Sequence, residues 1–402
     1  MLKVVGMISG TSYDAIEAVA AELSLNGDTL QASLLAHTST PYPQDLQDGI
    51  AALLPPAQTT IEQVCRLDAE IGRCFGEAAA ETAAEAFGGP ADLVSSHGQT
   101  VFHWVDGARA ISTLQIGQPA FIAQHTGATV VHDLRIRDIT AGGQGAPLAS
   151  LMDVLLLNDG SATVRGALNL GGIANITVVG PGTQPVAFDI GPANALLDAA
   201  VSWRTDGRAR FDAGGQRAAS GTVSAGLLQR LLEEPYYRLE PPKSTGKELF
   251  HLDYLRARLG TEDLATGDLL ATLCALSAEV IAAAVRRFGV GELVVSGGGT
   301  RNPFLMAEIA RRLEGVAITP VDRYGVAEGA KEALLMGLIG FLTVHGLPGT
   351  VPSCTGARRP VVLGSVLPGE RPLTLQRDVA APVRMRVTRT LDGGGTPVGT
   401  GS

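Results

Sequence analysis

Three predicted strands in immediate succession at the start of the chain constrain its fold more than any other feature. Apolar runs cover Leu2–Ile8 and Ile16–Leu23, and a third follows the Asn26-Gly27-Asp28 turn at residues 30–37. Strands with such short connections pair antiparallel, because parallel neighbours need a crossover of a dozen or more residues. Helices and strands then alternate to about residue 130, which predicts a β-β-β-α-β-α-β unit.

The second half of the chain repeats this order. Strands are predicted at residues 165–170, 173–179 and 185–190, with Gly171-Gly172 in the first turn. Further on, an apolar stripe at helical spacing predicts a long helix over residues 268–288. Two units built on one plan predict an α/β fold that arose by duplication.

The length of 402 residues also favours two domains. We expect domain I to cover residues 1–130, with a return segment at about 350–369, and domain II to cover residues 131–349. Residues 370–402 are rich in Gly, Thr, Pro and Arg, which predicts a disordered tail.

Composition and missing motifs exclude several classes of function. With 31 basic and 40 acidic residues, the net charge of −9 argues against a nucleic-acid partner. The four cysteines form no C-x-x-C pair, and the N-terminus runs directly into a strand, so we expect a reduced, cytoplasmic chain. The apolar run Leu334–Val344 is too short to cross a bilayer, so no membrane partner is expected. The missing Gly-x-Ser-x-Gly elbow and Rossmann fingerprint lower the hydrolase and dehydrogenase interpretations.

Three turns rich in small residues follow predicted strands, at Ser9–Ser12, Gly171-Gly172 and Gly297–Gly299. Clustered backbone N–H groups in such turns hold anions, and glycine lets a flat base approach the backbone. Each turn alone is a weak signal, and the first is more often an ordinary hairpin and lacks the Lys of a P-loop. Together they predict a nucleotide site whose phosphate charge is offset by Mg²⁺, with Asp14 and Glu17 as direct or water-mediated partners.

Candidate acid–base residues each have a structural alternative. Asp189 ends a predicted strand just before Gly191-Pro192, which predicts a helix start, so its carboxylate is either a base or the helix N-cap. Glu332 lies among apolar residues on a predicted helix and faces either solvent or a ligand. His97 and His103 flank a strand end where structural histidines are common, and their spacing does not indicate zinc.

Six motifs in order resemble those of the anhydro-N-acetylmuramic acid kinase family. They are Ser9-Gly10-Thr11-Ser12-Tyr13-Asp14, Gly142-Gly143-Gln144-Gly145-Ala146-Pro147-Leu148, Asn169-Leu170-Gly171-Gly172-Ile173-Ala174-Asn175, Phe188-Asp189-Ile190-Gly191-Pro192-Ala193-Asn194, Pro242-Lys243-Ser244-Thr245-Gly246 and Gly297-Gly298-Gly299-Thr300-Arg301-Asn302-Pro303. The similarity runs from residue 3 to about residue 368. It implies a two-lobed, actin-like ATPase (ribonuclease H-like) fold of the sugar kinase, actin and Hsp70 superfamily, with ATP and sugar in a cleft.

The resemblance also implies an activity. Such an enzyme uses ATP and Mg²⁺ to phosphorylate 1,6-anhydro-N-acetylmuramic acid at O6 while water opens the anhydro ring. The product is N-acetylmuramic acid 6-phosphate, a step in recycling cell-wall murein. The resemblance further implies a homodimer. Two alternatives stay open: a kinase for another 1,6-anhydro sugar such as levoglucosan, and a catalytically silent ATP-binding protein.

Residue roles follow from the motif match. Asp189 becomes the general base that activates water, and the implied sugar-binding residues are Glu332, His97, Gln99 and Asp138. Asp14 is expected to hold the metal through a water molecule. The implied ATP-binding residues are Gly10, Thr11, Ser12, Tyr13, Asp14, Ala15, Ile16, Glu17, Gly171, Gly172, Asn175, Gly297, Gly298, Gly299 and Asn302.

This chain departs from the family pattern near the site. Ala15 stands where the family usually has Gly, so the turn is expected to be strained if that Gly has a positive φ. Glu17 replaces a shorter Asp, while Ile190 and Ala193 replace Thr and Gly beside the expected base. A further family Asp is expected where this chain has Gly329, Ala330 or Lys331. We expect these changes to affect sugar specificity and turnover rather than the fold.

Overall fold

The structure is a computed structural model that describes residues 1–10, 12–107, 109–377 and 379–389. The strands are β1 Leu2–Ser9, β2 Ala15–Asn26, β3 Thr29–Pro41, β4 Leu93–Asp106, β5 Arg109–Ile116, β6 Thr129–His132, β7 Arg165–Leu170, β8 Ile173–Val179, β9 Val186–Pro192, β10 Glu292–Ser296, β11 Ala317–Pro320, β12 Ser365–Leu367 and β13 Arg384–Arg389.

The helices are α1 Gln44–Leu53, α2 Ile61–Phe87, α3 Pro119–Thr126, α4 Ile136–Thr140, α5 Ala149–Leu157, α6 Asn194–Arg204, α7 Gln216–Ala219, α8 Ala225–Leu232, α9 Leu252–Leu259, α10 Thr266–Arg287, α11 Pro303–Arg312, α12 Lys331–Val344 and α13 Pro352–Thr355. Several of the elements were not predicted, among them α1, β5, α9 and β13. The chain divides into two compact units, one of Met1–Leu156 with the C-terminal residues from Tyr324 onward, and one of Leu157–Arg323.

Each unit is built on a mixed sheet, and the two sheets share one plan. The first sheet has the order β12-β6-β4-β1-β2-β3-β13, with β5 paired to β4, and the second has the order β11-β10-β7-β8-β9. In each, three antiparallel strands come first, and a later strand lies parallel to the first of them. The predicted duplicated α/β fold is confirmed.

Both faces of β1 are buried, which explains its nearly continuous apolar sequence. Val5 and Met7 point into a core with Ile71 and Phe75 of α2. On the opposite face, the main chain of Gly6 lies against α12. A Cβ atom at Gly6 would come within 2.1 Å of the Ala333 carbonyl oxygen. Only glycine therefore lets β1 and α12 pack at this distance.

The contact with β1 places α12 in the first unit, which differs from the predicted domain boundaries. Residues 131–156 and 324–349 were assigned to domain II, yet both segments belong to the first unit. Periodicity predicted the helix but could not show which sheet it covers.

Part of the segment from residue 370, which was predicted to be a disordered tail, forms a strand. Strand β13 pairs parallel with β3, Met385 is buried, and Arg384 forms an ion pair with Asp28. The strand closes an edge of the first sheet, an arrangement that hides otherwise unpaired backbone groups. Residues 390–402 of that prediction lie outside the described residues.

One described helix, α10, is long and apolar enough to cross a membrane by length and composition. Yet 83% of its most apolar window is buried within the structure. Leu269, Leu273 and Ile281 of this helix are packed in the core of the second unit. Its apolar surface is therefore accounted for by the protein core.

We predict that Gly6→Ala lowers the free energy of unfolding by about 3 kcal/mol or more, because the added methyl group overlaps main-chain atoms that have no room to move. Gly89→Ala is the matched control, since a Cβ at Gly89 meets nothing within 4 Å. Urea denaturation of both variants measures the difference. Equal stability of the two variants would show that β1 and α12 are not in direct backbone contact.

Candidate active site

The turn between β1 and β2 is closed by hydrogen bonds among its own residues. The Tyr13 amide donates to the Gly10 carbonyl at 3.2 Å, and the Ser12 hydroxyl donates to Asp14 Oδ1 at 2.7 Å. The positive φ of the turn, 43°, falls on Tyr13, whereas Ala15 begins β2. The strain expected at Ala15 is therefore absent. Thr11, also predicted to bind ATP, lies outside the described residues.

Asp14 and Glu17, the two expected metal partners, have different surroundings. Glu17 is occupied, since its Oε2 lies 2.7 Å from His37 Nε2 and its Oε1 accepts a hydrogen bond from Ser39 at 2.5 Å. Asp14 is exposed, and no described residue donates to its Oδ2. Between them, Ile16 is buried in the core and can offer a ligand only its backbone. Of the two carboxylates, only that of Asp14 keeps an oxygen to which no described residue donates.

Gln99 ties the end of β4 to the first turn. Its Oε1 accepts a hydrogen bond from the Ser9 hydroxyl at 2.7 Å, and its Nε2 donates to the carbonyls of Gly10 and Thr100, each at 3.2 Å. The side chain is almost fully buried. Gln99 therefore fixes the backbone of the turn rather than offering a free amide.

His97 is buried and neutral. Arg135 Nε lies 2.6 Å from His97 Nε2, and a guanidinium can only donate, so Nε2 accepts and the proton is on Nδ1. That proton is donated to the Gly98 carbonyl at 3.0 Å. Burial, with the nearby Arg135 charge, lowers the pKa of His97 to about 3.

Asp138 braces the loop that holds Gly145. Its Oδ2 accepts the Gly145 amide and its Oδ1 accepts the Thr355 hydroxyl, both at 2.7 Å. Burial raises the pKa of Asp138 although these bonds and Arg135 oppose the shift. Arg135 Nη1 donates to the Gly145 carbonyl at 2.6 Å, so the loop is held from two sides.

Glu332 lies exposed in the first turn of α12. Burial lowers the pKa of Arg135, while the charges of Glu332 and Asp138 raise it and so favour the guanidinium. Arg135, which was not selected from the sequence, thus joins His97 to the Gly145 loop, with the charges of Asp138 and Glu332 acting on it. Its place in the charged segment Asp133–Asp138 was the available signal.

A cavity of about 580 Å³ in the first unit is lined by residues of α2, β4, β5 and the segment after β6. The volume is in the range of small-molecule sites. His97 lines it together with Ser96 and Gln115. The Ser96 hydroxyl and Gln115 Oε1 are buried without a partner among the described residues. These two groups are unpaired polar atoms of residues that line the cavity.

In the second unit, the Gly171-Gly172 turn packs on the start of α6. The Gly172 carbonyl accepts the amides of Ala193 and Ala195 at 2.9 Å, and the Gly171 carbonyl accepts that of Asn194 at 3.1 Å. These bonds fix the turn at the end of the β7–β8 hairpin, where Asn175 pairs opposite Asn169.

The three glycines after β10 differ in their surroundings. A Cβ at Gly299 would lie 2.7 Å from Leu170 Cβ, and Gly297 has a φ of 90° and equally close neighbours. A Cβ at Gly298 would meet nothing within 4 Å. Gly297 and Gly299 thus serve packing, while Gly298 leaves open surface. Asn302 caps α11 by accepting the Leu305 amide at 3.0 Å.

Asp189 lies inside β9, which continues to Pro192, and not at a strand end. The predicted helix start at Gly191-Pro192 is wrong, because Ile173 of β8 pairs opposite Pro192 and α6 begins only at Asn194. The N-cap alternative for Asp189 is therefore excluded.

The surroundings of Asp189 favour a base. Its Oδ2 accepts the Thr245 amide at 3.0 Å, and no described residue donates to Oδ1. Burial raises the pKa of this carboxyl, the Thr245 bond and Lys243 oppose the shift, and Glu248 adds to it. A half-buried carboxylate with one free oxygen and a raised pKa is suited to accept a proton.

A family model for anhydro-N-acetylmuramic acid kinase matches residues 2–369. The chain belongs to the anhydro-N-acetylmuramic acid kinase family. It is 53% identical to the family member of Rhodococcus erythropolis over 395 residues, covering 96% of this chain and 99% of the relative. It is 54% identical to that of Streptomyces coelicolor over 385 residues, with coverage of 96% and 98%.

Solved structures of other proteins are more distant. The activator of 2-hydroxyisocaproyl-CoA dehydratase from Clostridium difficile aligns with a TM-score of 0.40 at 13% identity, covering 84% of this chain and 94% of that one. This similarity is too low to add to the family match.

Two of the departures from the anhydro-N-acetylmuramic acid kinase pattern have structural explanations. Ile190 is buried in the core of the second unit. Lys331 pairs with Asp153 at 2.7 Å, with both side chains largely buried. Neither side chain is directed at a ligand.

We predict that His97 makes the fold less stable as the pH falls. The unfolded pKa of 6.5 exceeds the folded value of about 3, so the stabilisation is complete above pH 6.5 and is lost toward pH 3. His97→Gln should therefore show a smaller loss of unfolding free energy between pH 7 and pH 5 than the wild type, as measured with urea. His125→Gln, at an exposed site, should behave as the wild type. If the unfolding free energy of His97→Gln fell between pH 7 and pH 5 by as much as that of the wild type, His97 would not be buried and neutral.

Proposed function

We propose that this protein phosphorylates 1,6-anhydro-N-acetylmuramic acid at O6 with ATP, while water opens the 1,6-anhydro ring to give N-acetylmuramic acid 6-phosphate. The observation that carries the proposal is the family match over residues 2–369, together with identities above 50% to relatives of that name. The surroundings of Asp189 agree with it, since the reaction needs a base for water. The product would enter cell-wall recycling.

In the proposed reaction, Asp189 accepts a proton from water as the water oxygen bonds to the anomeric carbon. The bond from that carbon to the bridging O6 breaks, and O6 forms a bond to the γ-phosphorus of ATP as the bond to ADP breaks. Sugar, ATP and water thus give the sugar 6-phosphate, ADP and one proton, which leaves from Asp189. Phosphoryl transfer depends mainly on positioning and charge neutralisation.

The first turn is proposed to bind the phosphates of ATP. The backbone of Gly10 is fixed by Gln99, and the Ser12 hydroxyl is exposed at the same turn. Mg²⁺ typically binds through one or two carboxylates, waters and substrate phosphates. Asp14 fits this role, whereas Glu17 is occupied by His37 and Ser39. Bound Mg²⁺ would offset the negative charge of the phosphates.

In the second unit, we infer that the Gly171-Gly172 turn and the exposed backbone at Gly298 also contact the nucleotide. The Lys247 side chain lies beside the Gly171-Gly172 turn, since a Cβ atom at Gly172 would be 3.9 Å from Lys247 Cε. Lys247 is not part of any of the glycine-rich turns that were predicted to bind phosphate. Asn302 serves as a helix cap, so its proposed contact with ATP would be indirect.

For the sugar, we infer direct contacts from exposed Glu332 and from the cavity beside His97. Gln99 and Asp138 act indirectly, because their side chains hold the backbones of Gly10 and Gly145. The orphan Ser96 hydroxyl in the cavity suits a ligand with hydroxyl or amide groups.

We further infer that the enzyme acts in the cytoplasm as a homodimer. The −9 net charge favours neither nucleic acid nor an anionic membrane surface as partner. Phe102, Trp104 and Leu114 on the β4–β5 hairpin are each about half exposed, which supports an interface with a second copy.

A substrate panel tests the function. The protein is incubated with ATP and 1,6-anhydro-N-acetylmuramic acid, with the analogue that lacks the lactyl group, or with levoglucosan. We expect the first sugar to react fastest, with one new reducing end for each ADP, because ring opening and phosphorylation are one event. Preference for levoglucosan would favour the alternative kinase. ATP binding without product, unchanged by Ala15→Gly with Glu17→Asp, would favour a silent protein.

We predict that Asp189→Asn lowers kcat by about two to four powers of ten, the usual range for loss of a general base. The affinity for ATP, measured by calorimetry, should stay near that of the wild type, because the substitution removes a base and not a phosphate contact. Asp206→Asn, at an exposed site of the same unit, should keep full activity. Retained turnover in Asp189→Asn would remove Asp189 from the mechanism.

A further inference from the structure

We propose that Tyr236 and Lys243 are positioning residues that clamp the backbone of Asp189, so that one oxygen of its carboxylate is fixed and the other is left for the attacking water. The inference rests on the proposed function, in which Asp189 is the base. It assigns a role to the segment of residues 236–245, which binds no ligand in the scheme above.

Asp189 needs such support because β9 is an edge strand. The second sheet ends at β9, so the outward N–H and C=O groups of this strand have no strand partner in the described sheet. At Asp189 both groups are nevertheless paired. Its amide donates to the Lys243 carbonyl at 3.0 Å, and its carbonyl accepts the Tyr236 hydroxyl at 2.8 Å. The segment thus covers the edge at the position of the proposed base.

The two residues also hold each other. Lys243 Nζ donates to the carbonyls of Tyr236 at 3.0 Å and Tyr237 at 3.4 Å, and it lies 4.4 Å from the centre of the Tyr236 ring. The contacts therefore form a closed circuit from Asp189 to Lys243, to Tyr236 and back to Asp189. Loss of either side chain opens the circuit.

An aromatic cluster fixes the clamp in the unit. The Tyr236 ring meets the buried Phe250 edge-on at 6.1 Å, and Tyr237 stacks on Phe250 at the same distance. Such packing restricts the Tyr236 side chain, so the position of its hydroxyl is set before substrate binds.

The clamp determines how the two oxygens of the Asp189 carboxylate are used. The same segment supplies the Thr245 amide to Asp189 Oδ2, while no described residue donates to Oδ1. A general base needs its proton donor within hydrogen-bond reach, so a fixed Oδ2 leaves Oδ1 as the acceptor for water. The charged groups near Asp189 are Lys243, which lowers its pKa, and Glu248, which raises it.

Tyr236→Phe tests the clamp with little change in packing. It removes the hydroxyl that bonds to Asp189 and keeps the ring against Phe250. We expect kcat to fall about tenfold, the scale of one hydrogen bond in a protein interior, with KM unchanged for both substrates. Tyr254→Phe is the matched control, because its ring also packs on Phe250, at 5.5 Å, and has no bond to Asp189. It should keep the wild-type kcat.

A second readout does not depend on turnover. The carboxyl pKa of Asp189 is measured by carbon NMR in the substrate-free protein and assigned with Asp189→Asn. Lys243→Met removes a neighbouring positive charge and should raise this pKa, whereas Glu248→Gln removes a negative charge and should lower it. The acidic limb of kcat/KM should move in the same directions, because the base must be deprotonated to act.

A double-mutant cycle asks whether the two residues act as one clamp. We expect Tyr236→Phe with Lys243→Met to lower kcat by less than the product of the single effects, since either change opens the same circuit. The proposal would be overturned if the two substitutions lowered kcat by the product of their single effects. It would also be overturned if Tyr236→Phe had the same kcat as Tyr254→Phe, or if Lys243→Met left the pKa of Asp189 unchanged. If the wild type phosphorylates no anhydro sugar, the proposed function fails, and the NMR titration still decides whether the clamp exists.

Discussion

The direct contact between β1 and α12 is the constraint on which the first unit depends. At Gly6 the main chain of a strand touches the main chain of a helix, with no side chain between them. This distance fixes where β1 ends, and therefore where the Gly10 turn lies. It also fixes the first turn of α12, which carries Lys331 and Glu332. A turn and a carboxylate more than 300 residues apart in sequence are thereby located in one compact unit.

Three of the polar side chains selected from the sequence hold backbone groups rather than pointing at open space. Gln99 fixes a carbonyl of the first turn, Asp138 holds the Gly145 amide, and Asn302 caps a helix. Arg135 donates to neutral His97, and the charges of Glu332 and Asp138 partly offset the effect of its burial. Fully satisfied networks of this kind give loops a single conformation. The site therefore gains its geometry from residues that need not touch a substrate.

The sequence predicted the repeated strand order because short turns between apolar runs leave few ways to pair. It failed where the outcome depends on distant parts of the chain. A helix was predicted to start at Gly191-Pro192, but Pro192 pairs with β8 and therefore belongs to a strand. The motifs identified candidate amide and carboxylate side chains. They did not show whether each side chain already has a hydrogen-bond partner, because partners such as Thr355 are distant in sequence.

The two stretches that form the first unit are separated by the whole of the second unit, which has consequences for folding during synthesis. The second unit is one continuous segment, Leu157–Arg323, and can fold once it has left the ribosome. The first unit must wait, since α12 and β13 are made last. Until then one face of β1 and one edge of β3 remain uncovered. Completion of the first unit requires contacts of very high sequence separation, which are the slowest to form.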